Sequence, residues 1–181
     1  MNGRAATSLL VMAVGVVAAA SVQEFAPPLG ALRVKLPLLA GVAVYYAMRR
    51  EGAYAAAAAA WCGIAEDGLS GVPAAASLVT LGAAAAFLSR RVKPQMEEGA
   101  LSCAVCGAAL APLLCAAQYF ALRLGGRVAA EQAWFVAARI GAAAPAGFVS
   151  ALVAAWALRA LDWASANVGL EGEDDDGLEA D

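Results

Sequence analysis

The spacing of charged residues divides this 181-residue chain into long apolar segments. Four uncharged runs of 19 to 24 residues occupy residues 5–23, 68–89, 99–122 and 140–158. A membrane-spanning helix needs about 20 mostly apolar residues, so each of these runs is long enough to cross a bilayer. The pattern therefore predicts at least four spanning helices.

Two shorter apolar runs lie between the first and second of these segments. Residues 36–48 and 52–65 hold 13 and 14 uncharged residues, fewer than a span ordinarily needs. Basic side chains at their ends can extend each helix, because their apolar stems lie in the bilayer while their charges reach the interface. We therefore expect an all-α polytopic membrane protein with six transmembrane helices, the second and third of them short.

The first segment has a second interpretation as a cleaved signal peptide. It begins with Arg4, continues as an apolar stretch and reaches three alanines at residues 18–20. A signal peptide has this order of features, but its apolar core is usually shorter than the 19 uncharged residues found here. The length favours a retained helix.

Composition agrees with a membrane protein. Hydrophobic residues make up 62% of the chain, against roughly 45–50% in soluble domains, and charged residues only 15%. Seven of the 15 acidic residues lie in residues 171–181, so the remainder carries 12 basic and eight acidic residues. We expect an integral membrane domain over residues 1–168 and an acidic, disordered cytoplasmic tail over residues 169–181.

The placement of lysine and arginine predicts the orientation. With six helices and a cytoplasmic N-terminus, seven basic residues fall on the cytoplasmic side and four on the outer side. Because cytoplasmic loops carry the excess of these residues, both termini are expected in the cytoplasm. The inner set is Arg4, Arg49, Arg50, Arg90, Arg91, Lys93 and Arg159, and the outer set is Arg33, Lys35, Arg123 and Arg127.

Several kinds of chemistry find little support in the residues. The chain has no histidine, the commonest general base and metal ligand. Cys103 and Cys106 form a CxxC inside an apolar run, but no second pair follows at zinc-site spacing, which favours a structural role over metal or redox chemistry. The chain has no basic block with interleaved aromatic residues, so the sequence does not indicate a nucleic-acid partner. We expect no catalysis, no metal and no cofactor.

Two adjacent acids, Glu66 and Asp67, interrupt the apolar sequence between the third and fourth predicted helices. The residues that follow suit a tight return between helices. Gly68 and Gly71 give backbone freedom, Ser70 can bond exposed backbone groups, and Pro73 suits the first turn of a helix. This hairpin turn requires neither acid, so the two carboxylates need a separate explanation.

Arg139 offers an explanation for these two acids, because it is the one basic residue well inside a predicted span. It lies six positions into the sixth helix, about 9 Å from the outer end at 1.5 Å per residue. A short third helix brings Glu66 or Asp67 to a similar depth, and charges inside a membrane are usually paired or face a cavity. We expect an ion pair between Arg139 and one acid, with snorkelling of Arg139 alone as the alternative.

Two local patterns stand out among the six hydrophobic segments. One is KLPLLAGVAVYYAMRREG over residues 35–52, with Pro37 near its start and a basic end followed by glycine. The other is a glycine-containing helix, an aspartate, then serine-glycine and proline, formed here by Gly63, Asp67, Ser70, Gly71 and Pro73. In these patterns and in its six hydrophobic segments, the chain resembles the rod-shape-determining membrane protein family MreD. The chain departs from the family at Ala75, where glycine is expected, and in its acidic tail.

The resemblance implies a non-enzymatic component of the cell-elongation machinery in the bacterial inner membrane. Such proteins resemble in fold the substrate-binding subunits of ECF vitamin transporters. They work beside MreC, the actin-like MreB filament, and the RodA and penicillin-binding synthase pair. The outer turn with Glu66 and Asp67 is then expected to contact a partner such as MreC or to serve folding.

A transport function is the main alternative. Six helices with a polar outer loop could form the substrate-binding membrane subunit of a transporter for a small, vitamin-sized solute. Such a site needs a pocket with converging polar groups. The available side chains are Glu66, Asp67, Gln118, Gln132 and Arg139.

Overall fold

The structure, a computed structural model, describes residues 3–28, 34–50, 52–72, 75–96, 99–127 and 133–167. Within these ranges the regular elements are helical, without a strand. The α-helices are α1 (Gly3–Phe25), α2 (Leu38–Arg49), α3 (Gly52–Ser70), α4 (Ala76–Phe87), α5 (Ala100–Leu124) and α6 (Ala133–Asn167). A π-helical turn at Leu88–Val92 and a 3-10 turn at Lys93–Gln95 continue α4 without a break.

Three of the helices are long and apolar enough to cross a membrane. These segments are Ser8–Phe25 in α1, Ala100–Leu124 in α5 and Trp134–Ser165 in α6. They support the predicted all-helical membrane protein by length and composition. The predicted tail at residues 169–181, Pro73 and Gln132 lie outside the described residues.

The prediction of two short helices is right for α2 and wrong for α3. The second helix has 12 residues, but α3 has 19 and continues through Glu66 and Asp67 to Ser70. Alanine has the highest helix propensity, and six consecutive alanines at residues 55–60 favour one uninterrupted helix. Because both carboxylates find hydrogen-bond donors on other elements, the helix need not end before them.

Hydrogen bonds between helix ends show that the helices alternate in direction. Gln23 near the end of α1 and Gln118 near the end of α5 both bond to Glu66 near the end of α3. At the opposite end of the bundle, Tyr45 near the end of α2 donates to Asp162 near the end of α6. We name these the Glu66 end and the Asp162 end.

The second helix lies at the centre of the bundle. Every residue from Leu38 to Met48 is buried, and α2 packs against each of the other five helices. A helix that is apolar on all sides is expected in the interior rather than at a surface. Because α2 is surrounded by protein, its length need not match the thickness of a bilayer.

Small residues bring α5 and α6 close together. A Cβ atom added at Gly107 would overlap Ala151, and one added at Gly147 would overlap Ala111 and the backbone of Gly107. Membrane helices commonly pack through such small-residue faces, because the backbones can then approach closely. The α5–α6 interface therefore depends on glycine at these two positions.

A matched pair of alanine substitutions on α6 tests this interface. At Gly147 the added methyl group collides with α5, and we expect Gly147→Ala to destabilise the protein by about 1–3 kcal/mol. At Gly141 the added Cβ has no neighbour within 4 Å, so Gly141→Ala should be neutral or stabilising, given alanine's helix propensity. Thermal unfolding of the purified protein in detergent measures both, and equal melting temperatures would contradict the packing described.

Candidate functional site

Glu66 is the centre of a buried hydrogen-bond network. Its side chain is on α3, and the residue is only 6% exposed. Gln23 Nε2 donates to Oε2 over 2.6 Å, while Gln118 Nε2 and Ser70 Oγ donate to Oε1 over 3.1 and 3.3 Å. All three donors are neutral groups. Hydrogen bonds to a charged acceptor contribute more than those between neutral groups, so this carboxylate ties α1, α3 and α5 together.

The network continues into the starts of α2 and α4. Gln23 Oε1 accepts from the backbone N–H of Leu39 over 3.2 Å, and Gln118 Nε2 donates to Ser77 Oγ over 3.0 Å. The residue before α2 is Pro37, which has no side-chain acceptor. Gln23 therefore supplies the acceptor for the N–H of Leu39, which has no partner within the first turn of the helix. One connected hydrogen-bond network therefore joins polar side chains of α1, α3, α4 and α5 and the backbone at the start of α2.

Asp67 has a different task, because it caps α4. Its Oδ1 accepts from the backbone N–H of Ser77 over 2.9 Å, and its Oδ2 accepts from that of Leu78 over 3.2 Å. The residue at the N-cap of α4 is Ala75, which has no side-chain oxygen to offer. A carboxylate on α3 thus supplies the acceptor and the negative charge that a helix N-terminus favours.

Two glycines complete the α3–α4 hairpin. A Cβ atom on Gly63 would overlap Leu78 Cα, so glycine is what lets α4 start close enough to Asp67. Gly71 has φ +62° and ends α3, and the N–H of Val72 then bonds back to the carbonyl of Asp67 over 3.2 Å. This is the Schellman arrangement that glycine favours after a helix. The expected tight return is confirmed at Gly71.

Ser70 and Gly68 behave differently from the other turn residues. Ser70 Oγ donates to Glu66 rather than to exposed backbone. Gly68 lies inside α3, is exposed, and has open space where a Cβ atom would stand. At the turn itself, Arg127 Nη1 donates to the carbonyl of Gly71 over 2.9 Å and ties the end of α5 to it.

Arg139 lies on α6 and lines the same cavity as Glu66. Among the described residues, neither Glu66 nor Asp67 forms a salt bridge with it. Both acids instead accept hydrogen bonds from amide, hydroxyl and backbone N–H donors. The ion pair expected from the sequence therefore stays a prediction.

The cavity at the Glu66 end has a volume of about 480 Å³, and we name it the end cavity. It is open to the surface, and its apolar wall includes Leu114 and Ala143. Its polar lining comes from Gln23, Glu66, Ser70, Gln118, Arg139 and the ion pair between Glu24 and Lys35, whose charged atoms are 3.5 Å apart. Binding pockets for small ligands typically measure 300–1,000 Å³ and combine apolar walls with a few converging polar groups.

A second polar cluster lies at the Asp162 end. Asp162 accepts from the Tyr45 hydroxyl over 2.8 Å and forms an ion pair of 3.3 Å with Arg50. Lys93 Nζ donates to the carbonyl of Arg50 over 3.2 Å and joins the π-helical segment to the cluster. Because the two charged side chains are 40% and 30% exposed, the ion pair contributes little stability on its own.

The cysteines of the CxxC pack as small apolar side chains. Cys103 and Cys106 are free and buried, and both belong to the hydrophobic core, as does Cys62. Cys115 is also free and lines the end cavity. Their burial agrees with the structural role that the sequence favoured.

The sequence did not point to Gln23 or Ser77 as members of this site. Gln23 is a polar residue beside a charged one at the end of an apolar run, which resembles an ordinary helix end. It lies 43 positions from Glu66 along the chain, so only the tertiary structure brings the two together. An amide or hydroxyl within an otherwise apolar span is the one local signal that could have suggested them.

Comparisons of the chain with protein-family models, with curated proteins and with solved structures give no match.

Removing the Asp67 carboxylate tests the cap on α4. Asp67→Ala leaves two N–H groups without their acceptor, and we expect a loss of about 1–2 kcal/mol in the free energy of unfolding. Asp67→Asn keeps one carbonyl oxygen and should lose less. Thermal unfolding in detergent ranks the three proteins. An alanine variant as stable as the starting protein would show that the cap contributes nothing.

Glu66→Gln tests the buried network with a nearly isosteric change. An amide offers one oxygen where the network uses two, so at least one donor loses its acceptor, at a cost of about 1–3 kcal/mol. Glu24→Gln is the control, because it removes an acid from an exposed ion pair worth about 0–1 kcal/mol. We expect a clear drop in melting temperature for Glu66→Gln only. Equal drops would indicate a general charge effect.

Proposed function

We propose that this protein is a non-enzymatic membrane component of the bacterial cell-elongation machinery, of the MreD type. In this proposal it acts as a scaffold beside an MreC-like protein, the MreB filament, and the RodA and penicillin-binding synthase pair. It resides in the inner membrane with both termini in the cytoplasm. No cofactor takes part.

The observation that supports it most directly is the α3–α4 hairpin. Gly63, Asp67 and Gly71 belong to the pattern by which the chain resembles the MreD family, and all three build this hairpin. Gly63 allows the close approach, Asp67 caps α4, and Gly71 ends α3. Because all three residues fix the geometry of one hairpin, the pattern supports a scaffold that presents this hairpin to a partner.

A six-span arrangement is part of the proposal. Besides α1, α5 and α6, the 19 residues of α3 extend about 28 Å, close to the thickness of a hydrocarbon core. Helical turns from Ala76 to Gln95 give α4 a similar reach. α2 is shorter, but it is enclosed by the other helices. The start of α1 and the end of α6 lie at the same end of the bundle, which supports having both termini on one side.

The surface proposed for partner contact is the exposed end of α3. Gly68, Leu69 and Ser70 are exposed at the Glu66 end, while the acids beside them are engaged within the bundle. On the proposed orientation this surface faces outward, where an MreC-like protein would meet it. The exposed Arg90 and Arg91 lie toward the Asp162 end, on the proposed cytoplasmic side.

Depletion of the protein in a rod-shaped host tests the function. We expect the cells to round up and to recover as rods when the protein is supplied again. Co-purification of an MreC-like partner, measured with tagged protein, tests the contact. Rods that persist after depletion would contradict the proposal.

Two glycine variants separate the contact surface from the fold. Gly68→Leu places a bulky side chain on the exposed end of α3, where a Cβ atom has no neighbour within 4 Å. Gly141→Leu does the same at an open position on α6. We expect both proteins to fold, with Gly68→Leu alone losing partner co-purification and rod shape. Full activity of Gly68→Leu would exclude this surface as the contact.

The end cavity favours one second candidate, the substrate-binding membrane subunit of a transporter for a small solute. Its volume and converging polar groups suit a vitamin-sized ligand. The test is mass spectrometry of small molecules extracted from the purified protein. One ligand retained in stoichiometric amount, together with normal cell shape after depletion, would favour this function over the first.

A further inference from the structure

A second, smaller space adjoins the end cavity and extends it along the surface of the bundle. It measures about 140 Å³ and lies between α5 and α6, and we name it the lateral groove. Gln118 and Arg139 line both spaces, so the groove begins where the cavity ends. Its other walls are mainly apolar and half-exposed, and include Tyr119, Val136 and Ile140. An elongated molecule could therefore occupy both.

The charges lining the end cavity leave one acid and one base without an ionic partner. Glu24 and Lys35 neutralise each other at the rim. Glu66 is bound by neutral donors alone. Across the described residues, Arg139 has no carboxylate in salt-bridge contact. A ligand that complements this cavity carries an anionic group for Arg139 and a cationic group for Glu66.

The level of Arg139 along α6 matches that of lipid headgroups. The 35 residues of α6 extend about 52 Å, roughly 22 Å more than a hydrocarbon core of about 30 Å. If the excess is divided equally, α6 enters the core about 11 Å from its first residue. Arg139 lies about 9 Å from that residue, at the boundary where lipid phosphates are found.

We propose that the end cavity and the lateral groove bind one phospholipid whose headgroup carries both a phosphate and a primary ammonium. Arg139 binds the phosphate, because a guanidinium matches phosphate oxygens with two parallel N–H donors. The ammonium faces Glu66 inside the cavity. One acyl chain lies in the groove over Val136 and Ile140. This lipid site does not depend on whether the protein is a scaffold or a transporter subunit.

Lipid selectivity of the unaltered protein provides the first test. The full chain in detergent is incubated with phosphatidylethanolamine, phosphatidylcholine or phosphatidylglycerol of identical acyl chains, and retained lipid is counted by native mass spectrometry. We expect one phosphatidylethanolamine per protein, retained at least tenfold more tightly than the other two, which lack a primary ammonium. Equal retention of all three lipids would overturn the proposal.

Substitutions then locate the site. Arg139→Gln should weaken phosphatidylethanolamine retention roughly tenfold or more, the loss expected for a hydrogen bond to a charged group. Arg139→Lys keeps the positive charge but loses the two parallel N–H donors, so its retention should lie between that of the starting protein and that of Arg139→Gln. Arg123→Gln is the control, because it removes an exposed basic residue at the same end that lines neither space. Unchanged retention in a folded Arg139→Gln protein, judged by helical content and elution volume, would overturn the assignment.

A soluble zwitterion shares the headgroup chemistry, and two further measurements distinguish it from a lipid. Val136→Trp fills the groove and should reduce lipid retention while leaving the cavity intact. Free phosphoethanolamine should compete only weakly with the lipid, because it lacks the acyl chain. Strong competition by phosphoethanolamine together with full lipid retention in Val136→Trp would overturn the lipid assignment in favour of a soluble ligand.

Discussion

The buried carboxylate of Glu66 is the interaction on which the Glu66 end of the bundle depends. An ionised group removed from water is costly unless hydrogen bonds replace its hydration. Here Gln23, Ser70 and Gln118 supply those bonds from three helices, and the amides extend the network to the starts of α2 and α4. Burial of apolar surface is not directional, whereas a shared buried acceptor needs its donors at set distances and angles. The network therefore specifies how the helix ends meet.

The neighbouring acids Glu66 and Asp67 have different roles because their side chains point in different directions from α3. Successive residues on an α-helix point about 100° apart. Glu66 faces α1 and α5, while Asp67 faces the start of α4. Both acids thus hold the fold together. The open part of the Glu66 end is the cavity beside Arg139, whose guanidinium forms no salt bridge with a described carboxylate.

Close packing elsewhere in the bundle comes from small residues. Gly107 and Gly147 let the backbones of α5 and α6 approach, and Gly63 does the same for α3 and α4. Where these helices are tight, no space remains between them. The end cavity extends from Ala111, which packs against Gly147, toward the Glu66 end, where Gln118 and Arg139 carry larger side chains. The close contact of α5 and α6 therefore lies at one side of the candidate ligand site.

The sequence by itself determined the helical class, the short second helix, the turn at Gly71 and the unusual position of the two acids. These follow from local properties: the length of apolar runs, helix propensity and the backbone freedom of glycine. The uncharged run predicts too short an α3, because the helix continues through Glu66 and Asp67, whose carboxylates find hydrogen-bond partners on other helices. Those partners, Gln23 and Gln118, are 43 and 52 positions from Glu66. Only the tertiary structure determines these pairings, because the local sequence around a buried polar group does not indicate which distant group will form its hydrogen bond.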